Sequence, residues 1–547
     1  MKRTVLAFLL GIVFSANGFG QTIEEGKKFL YYERNKSALE LFQKIATANP
    51  GDAVSIYWLG QAYIAGDDLK AAKNLYEQAQ QKGINDPFIT VGLGHIDVLE
   101  KNIETAKEKF EKALEASKSK KGIYNTDILI AVGRANADGN NKIGDAPYAV
   151  EKLKVAALQD TKNPEPELLL GICYLKMGRE FGTDAVVSFR EATLRNPAYA
   201  KAYYRVGRIF QLQKSYDLMS EEFDKAIKAD PAFPLTYLAY FLHYQYRDVN
   251  LAKENLDKYV ANSDKDCNSD YYVADYLYRA GKFNESLDKV KMMEAGDCKD
   301  FVRLNILYAY NYDKLNDTAN AKNYLEKYFA SMAADKITPA DYEFAAKFYA
   351  KNAGNEMQAI SYYSQAAELS AGKNEKIDFI NSAAKIAADA RLFAEQIKLL
   401  TKISALKGGM QENDYYSLSK AAIDAKEWVL ADSLSKAYVN AFPDKPQGYG
   451  FRVMIAKAQD TDTSKGLAVE PINLYNELLL KDAEKNKKAI YSNYYYLLIY
   501  YAQKAGDLKT AIAITGRMMD LYKEGEEYNF AKTINEQLTK KAGKGQK

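Results

Sequence analysis

Tyr57-Trp58-Leu59-Gly60-Gln61-Ala62-Tyr63, followed by Ala72, Tyr76 and Ala79, is one copy of a two-helix unit that recurs along the chain. Gly60 serves as the ruler. The same set returns as Gly26, Ala38, Phe42 and Pro50, and again as Leu93, Gly94, Ala106, Phe110 and Ala113. Further copies are Leu170, Gly171, Tyr174, Ala185, Phe189, Ala192 and Pro197, then Val206, Gly207, Phe210, Phe223, Ala226 and Pro231. Small Gly60 and Ala72 are expected to face each other where the two helices cross, with Tyr63 and Tyr76 filling the space beside them. Ala79 leaves room for the next unit. Pro50, Pro197 and Pro231 stand after second helices, where a ring without an N–H stops the helix. A unit this small cannot bury its apolar face alone, so neighbours must stack.

The pattern resembles the tetratricopeptide repeat, W-x2-L-G-x2-Y, then A-x3-F-x2-A, then P, at a period of about 34 residues. The resemblance implies an all-α fold, a right-handed superhelical solenoid of antiparallel helix pairs. After residue 235 the first-helix Gly is lost while second-helix spacing persists in Ala252 and Leu256, Ser286 and Val290, Ala321 and Leu325, Ala359 and Tyr363, then Ala431 and Pro443. A last unit is expected from Tyr491 through Ala511 to Met518, giving roughly 14 pairs. The expected divisions are a leader over 1–20, a clear array over 21–235, a divergent array over 236–407 and a C-terminal array over 408–547. Interhelical loops or bends are expected at Lys118 to Gly122, Gly139 to Asp145, Gly408-Gly409 and Asp444 to Gly450.

The N-terminus reads as an address. Lys2-Arg3 precedes an apolar run from Val5 to Phe14, and Gly18 and Gly20 occupy the minus-three and minus-one positions before Gln21. A signal peptide cleaved after Gly20 is expected. The run falls short of the roughly 20 residues a membrane span needs, and no later segment approaches that length. The mature chain is expected outside the cytoplasm, in a periplasm, associated with an outer membrane only through a partner.

Charge gives no sign of a nucleic-acid partner. The chain has 75 basic and 72 acidic residues; without Lys2 and Arg3 the balance is 73 to 72. No basic stripe stands out, and the lysine-rich tail Lys540 to Lys547 reads as a solvated terminus.

Catalytic signatures are missing. His95 and His243 lie on first helices of separate units, with no H-E-x-x-H, Cys-x2-Cys, P-loop, G-x-S-x-G or dinucleotide fingerprint. No catalytic residue, cofactor or metal ligand is therefore expected. Asp460-Thr461-Asp462-Thr463-Ser464-Lys465-Gly466 begins like a calcium loop, but Gly466 comes one position late and Pro471 replaces the bidentate Glu. A polar interhelical loop is expected there. Cys173 reads as a small buried side chain. Cys267 and Cys298 fall in successive loops, and in an oxidising compartment the sequence leaves open a disulfide or two free thiols.

Tyrosine is the informative excess, 43 against 2 Trp. Many are adjacent, as in Tyr31-Tyr32 and Tyr271-Tyr272. Neighbours on a helix point about 100° apart, so one can pack inward while the other faces a groove. In tetratricopeptide arrays the first helices line the concave surface, which implies groove positions at Tyr57, Gln61, Tyr204, Arg208, Tyr237, Phe241, Tyr244, Tyr271, Asp275, Tyr278, Tyr310, Tyr416, Lys420, Tyr496 and Tyr500. Tyrosine supplies apolar area with a hydrogen-bonding tip at low entropy cost. The chaperone-tail clamp of this family needs Lys and Asn, then Asn, then Lys with Arg on three successive first helices. No three consecutive units supply it.

Two functions fit. One is a scaffold or adaptor gripping a protein or peptide of the cell envelope in a preformed groove, at an outer-membrane assembly, secretion or export machine. The other is a protein that binds or processes carbohydrate, with tyrosines stacked on sugar rings and flanking carboxylates for any catalysis.

Overall fold

The computed structural model describes residues 22–139 and 143–544. The expected leader and its cleavage site lie outside them. Regular structure among the described residues is helical, in antiparallel pairs of mostly 11 to 17 residues, with no strand. Many helices begin on side-chain caps: Asp52, Asp68 and Asp86 accept the amides of Ser55, Ala71 and Phe88.

The helix crossing differs in detail from the expected small-on-small contact. A Cβ at Gly60 would enter the ring of Tyr76, and Gly26, Gly94, Gly171 and Gly207 are likewise covered by Phe42, Phe110, Phe189 and Phe223. The glycine is thus a seat for the second helix's aromatic ring. Ala72 is buried alongside it but is not its partner.

A second register mark lies in the backbone. Glu33, Asp67, Lys101 and Lys214 adopt left-handed φ values of 56°, 64°, 68° and 60°, each at the same offset from its ruler glycine. Asn316, Arg391 and Lys426, with Gly281 and Gly506, repeat the turn in pairs that have lost that glycine. The unit therefore persists through the divergent half.

The described residues divide into two compact units, the first ending at Tyr324 and the second beginning at Leu325. Within the first, the helices Ala53–Ala65, Pro87–Leu99, Thr126–Ala137 and Glu165–Met177 stack along one side, the first three each packing on the next as well as on its own partner. Their sequences explain this. Ser55 to Ala62 and Val91 to Val98 are buried without a break, and a helix apolar on every side must be enclosed. Thr126–Ala137 and Ala146–Gln159 form a pair whose copy is Gly133, Ala149, Leu153 and Ala156, with Leu153 seated on Gly133. That copy escapes the sequence ruler because Leu replaces the aromatic and a longer loop intervenes.

In the second unit five pairs run from Pro339–Ala350 to Leu508–Leu521, and one further helix, Glu526–Lys544, follows. It buries Ala531 and Leu538, and Asn535 donates to Thr515 Oγ1 at 2.6 Å. The array therefore continues beyond Met518 into a further helix. Asp444 to Gly450 is also not all loop. Pro446 opens the helix Pro446–Gln459, and Gly448 and Gly450 lie inside it against Val439 and Tyr475.

Candidate partner-binding surface

The first helices position the expected groove residues, and the structure sorts them into framework and surface. Tyr57 and Gln61 are framework. Tyr76 donates its hydroxyl to the Tyr57 carbonyl at 2.9 Å and receives the Gln61 amide at 3.2 Å, while the Tyr57 hydroxyl accepts from Arg134 at 2.9 Å. Arg134 also pairs with Glu165 at 2.5 Å and lies 4.6 Å over the Trp58 ring. That network fills the inner side of these pairs, and Tyr57 is fully buried. The Arg134 guanidinium, outweighing burial, draws the Glu165 carboxyl below its ordinary range.

Tyr237, Phe241, Tyr271 and Asp275 in the first unit and Tyr496 in the second are also buried, so a partner cannot reach them in this conformation. Tyr237 donates to the Pro231 carbonyl at 3.0 Å. These positions satisfy the groove offset, but Tyr237 and Phe241 join the core with Ala252, Leu256 and Tyr259 of their pair's second helix, and Tyr271 joins it with Leu287 and Val290.

An accessible surface remains around the helices Cys267–Arg279 and Arg303–Lys314. Tyr278 and Tyr310 are half-buried and stack at 5.4 Å between centroids, with planes 27° apart. One turn before Tyr278's neighbour Arg279 stands buried Asp275, which accepts from Arg279 Nε at 2.7 Å. The guanidinium then lies 4.3 Å over the ring of Tyr246, itself 74% exposed. Burial raises the Asp275 carboxyl, with Arg279 offsetting part of that rise, and burial pushes the Tyr278 phenol up to about 12. A buried carboxylate orients an arginine whose guanidinium lies over an exposed aromatic: the result is a platform offering ring faces and a cationic edge. Tyr244, half-buried, stacks on Tyr240 at 5.8 Å nearby in sequence.

Elsewhere Tyr204 and Arg208 come together at 3.4 Å, with Tyr204 stacked on Phe223. In the second unit Tyr416 is 41% exposed and packs 5.2 Å from Phe451, and exposed Lys420 pairs with Asp424 at 2.8 Å. Tyr500 covers Gly466, where a Cβ would strike its ring. The adjoining loop is organised by buried Asp460, which accepts the amides of Lys465 and Leu467 at 3.2 Å each. Those carboxylate oxygens serve the loop's own backbone.

Sequence reasoning passed over Arg134, Tyr246 and Arg279. Arg134 follows Gly133 at the offset of Gln61 and Arg208, so the signal was present in an unrecognised copy. Cys267 and Cys298 form a disulfide, with Cα atoms 5.6 Å apart, which resolves the alternatives left open above. Cys173 is a buried free thiol, pushed up to about 12 by burial. His95 is buried with Nε2 3.3 Å from Asp138, and His243 packs against Tyr216 and Tyr244. Among the described residues no cluster of three His, Cys, Asp or Glu side chains could hold a metal, and no helix is long and apolar enough to cross a membrane.

A tetratricopeptide-repeat family profile matches residues 29–87, and a second matches 200–233 and 302–330. Over these residues the chain carries tetratricopeptide repeats. No curated protein matches its sequence. Among solved structures, the C-terminal part of a repeat protein from Cytophaga hutchinsonii is 23% identical, covering 48% of this chain and 98% of that one at a TM-score of 0.30. A tetratricopeptide-repeat protein from Parabacteroides merdae is 17% identical over 46% of this chain and 96% of its own, with a TM-score of 0.38. Yeast Tom70 is 13% identical, covering 74% of this chain and 95% of its own, also at 0.38.

Proposed function

We propose that this repeat protein is a scaffold or adaptor of the cell envelope that holds a segment of a protein partner on the first-helix face of its first unit. The observation carrying this reading is the platform of Tyr246, Arg279, Tyr278 and Tyr310. Aromatic rings and arginine, preordered by burial on one side and open on the other, are the side chains that dominate protein contacts. Proteins built of such repeats are generally scaffolds without catalysis. The basic, apolar and small-residue sequence of residues 2 to 20 supports export, hence a periplasmic site of action at assembly, secretion or export machinery.

Carbohydrate binding is the second reading, favoured by the stacked Tyr278 and Tyr310 beside a buried carboxylate. Asp275 is buried and accepts from Arg279 through one oxygen, so what the pair presents to a ligand is ring stacking.

The test is photocrosslinking in cells from Tyr246 and Tyr278, followed by purification and mass spectrometry. Recovery of one stoichiometric envelope protein supports the scaffold. Binding of glycan fragments alone by the purified chain contradicts it.

A further inference from the structure

The first hairpin, Ile23–Tyr31 with Asn35–Ala48, touches residues far along the first unit. Tyr31 lies 5.2 Å from both the Tyr199 and Phe233 rings, and Tyr32 lies 6.3 Å from Phe233. The Tyr31 hydroxyl accepts the Lys201 amide at 2.8 Å, and the Tyr32 hydroxyl donates to Asp230 at 2.7 Å. Ala200, Ala226 and Leu235 floor the cleft. At its rim Arg34 Nε donates to Asp264 at 3.1 Å, while Ser37 donates from its amide at 3.0 Å and its hydroxyl at 2.5 Å to the same carboxylate.

These contacts differ from those inside a helix pair. Floor and walls belong to the helices Ala200–Leu212, Tyr216–Ala229 and Pro234–Tyr244 and their loops, which are complete as pairs without the hairpin. The segment Tyr31-Tyr32-Glu33-Arg34 reaches them as a separate polypeptide would, with two rings in a cleft and a cation at the rim. Its polar fastenings are Asp230, half-buried, Asp264, buried at the rim, and exposed Glu33 at 3.9 Å from Lys201 Nζ, and a partner offering the same hydroxyl, cation and carboxylate can take over each of them.

We propose that this cleft is a partner-binding site and that Tyr31-Tyr32-Glu33-Arg34 is its resident, displaceable ligand. The partner that replaces it presents two adjacent aromatic residues followed, two positions on, by a basic one. The inference rests on the scaffold reading and deepens it. Occupancy by the chain's own segment lowers apparent affinity by the fraction of molecules that are closed, so the hairpin sets a threshold for the partner.

The experiment uses the full chain and a fluorescent peptide of residues 27–38. The variant R34Q/S37A loosens the resident segment while leaving Asp264 for the peptide. Amides of residues 28–37 are expected to lose hydrogen-exchange protection about tenfold or more, with the rest of the unit unchanged. The peptide should bind this variant at least about tenfold more tightly than the unaltered chain, and adding Asp264→Asn should weaken it again. Unchanged protection, global unfolding of R34Q/S37A, or equal peptide binding by both chains overturns the proposal. A variant that dimerises and excludes the peptide also overturns it, since the occupant is then a second copy. Failure here leaves the crosslinks from Tyr246 and Tyr278 standing, so it is separable from failure of the scaffold.

Discussion

Arg134 donates to the Tyr57 hydroxyl at 2.9 Å across 77 positions of sequence, while holding Glu165 through a second guanidinium nitrogen at 2.5 Å. One arginine thus closes the inner side of three repeats. Arg134→Leu takes the guanidinium from Glu165, whose side chain is 26% exposed, and from the Tyr57 hydroxyl, and is expected to cost about 1–3 kcal/mol in urea unfolding. Adding Glu165→Gln should restore a large part of it. Additive losses in the double variant would contradict a coupled pair.

The ring-on-glycine crossing predicts a sharp sequence dependence. Gly207→Val forces two methyl groups into Phe223 and is expected to destabilise the chain by about 1–3 kcal/mol or more. Gly51→Ala meets no atom within 4 Å and should change little. Denaturation midpoints of the two variants decide the matter.

Replacing a side chain with glycine should stabilise at the left-handed turns. Lys214 holds φ 60° between its two helices, a conformation costing a non-glycine residue about 1–2 kcal/mol. Glycine returns part of that through its larger unfolded-state entropy, leaving a net gain of about 0.5–1 kcal/mol for Lys214→Gly. A higher thermal midpoint is the expected reading; a lower one would show that the lysine stem packs usefully.

The Cys267–Cys298 bridge closes a separation of 31 residues. Reduction, or Cys267→Ser with Cys298→Ser, is expected to cost about 3–4 kcal/mol through the unfolded chain. Native hydrogen exchange should accelerate between these residues and leave the second unit's protection unchanged.

Tyrosine supplies the pH dependence. Burial raises the phenols of Tyr278 and Tyr349 to about 12, and also holds that of Tyr76 well above the ordinary value. Folded values above the unfolded one, about 10, mean that these groups favour folding fully below pH 10 and lose that contribution as pH rises through 12 and beyond. Tyrosinate absorbance should therefore lag behind that of free tyrosine and then rise together with loss of helical circular dichroism. Titration of all the tyrosines together near pH 10 in a still-folded chain would contradict the burial of Tyr76, Tyr278 and Tyr349.

Small and aromatic residues at fixed offsets made the fold legible, because Gly60 and Tyr76 lie in one local unit and meet within it. The surface was only partly legible, for a physical reason. Whether Tyr57 faces a groove or a closed interior depends on Arg134, two pairs away, and no local periodicity carries that distance. Tyr278 and Tyr310 are half-buried because the helices bearing them mix polar and apolar positions, unlike the enclosed run from Ser55 to Ala62. Cys267 and Cys298 were legible as candidates from their loops, but their pairing needed the 5.6 Å Cα separation.

The central claim is that the platform of Tyr246, Arg279, Tyr278 and Tyr310 holds a protein partner. Photocrosslinking in living cells from position 246, compared with exposed Leu158 as the control position, tests it most directly. One envelope protein joined at 246, lost on Arg279→Ala and missing from the Leu158 position, is the predicted result. No adduct at 246, or the same adducts at both positions, would contradict it.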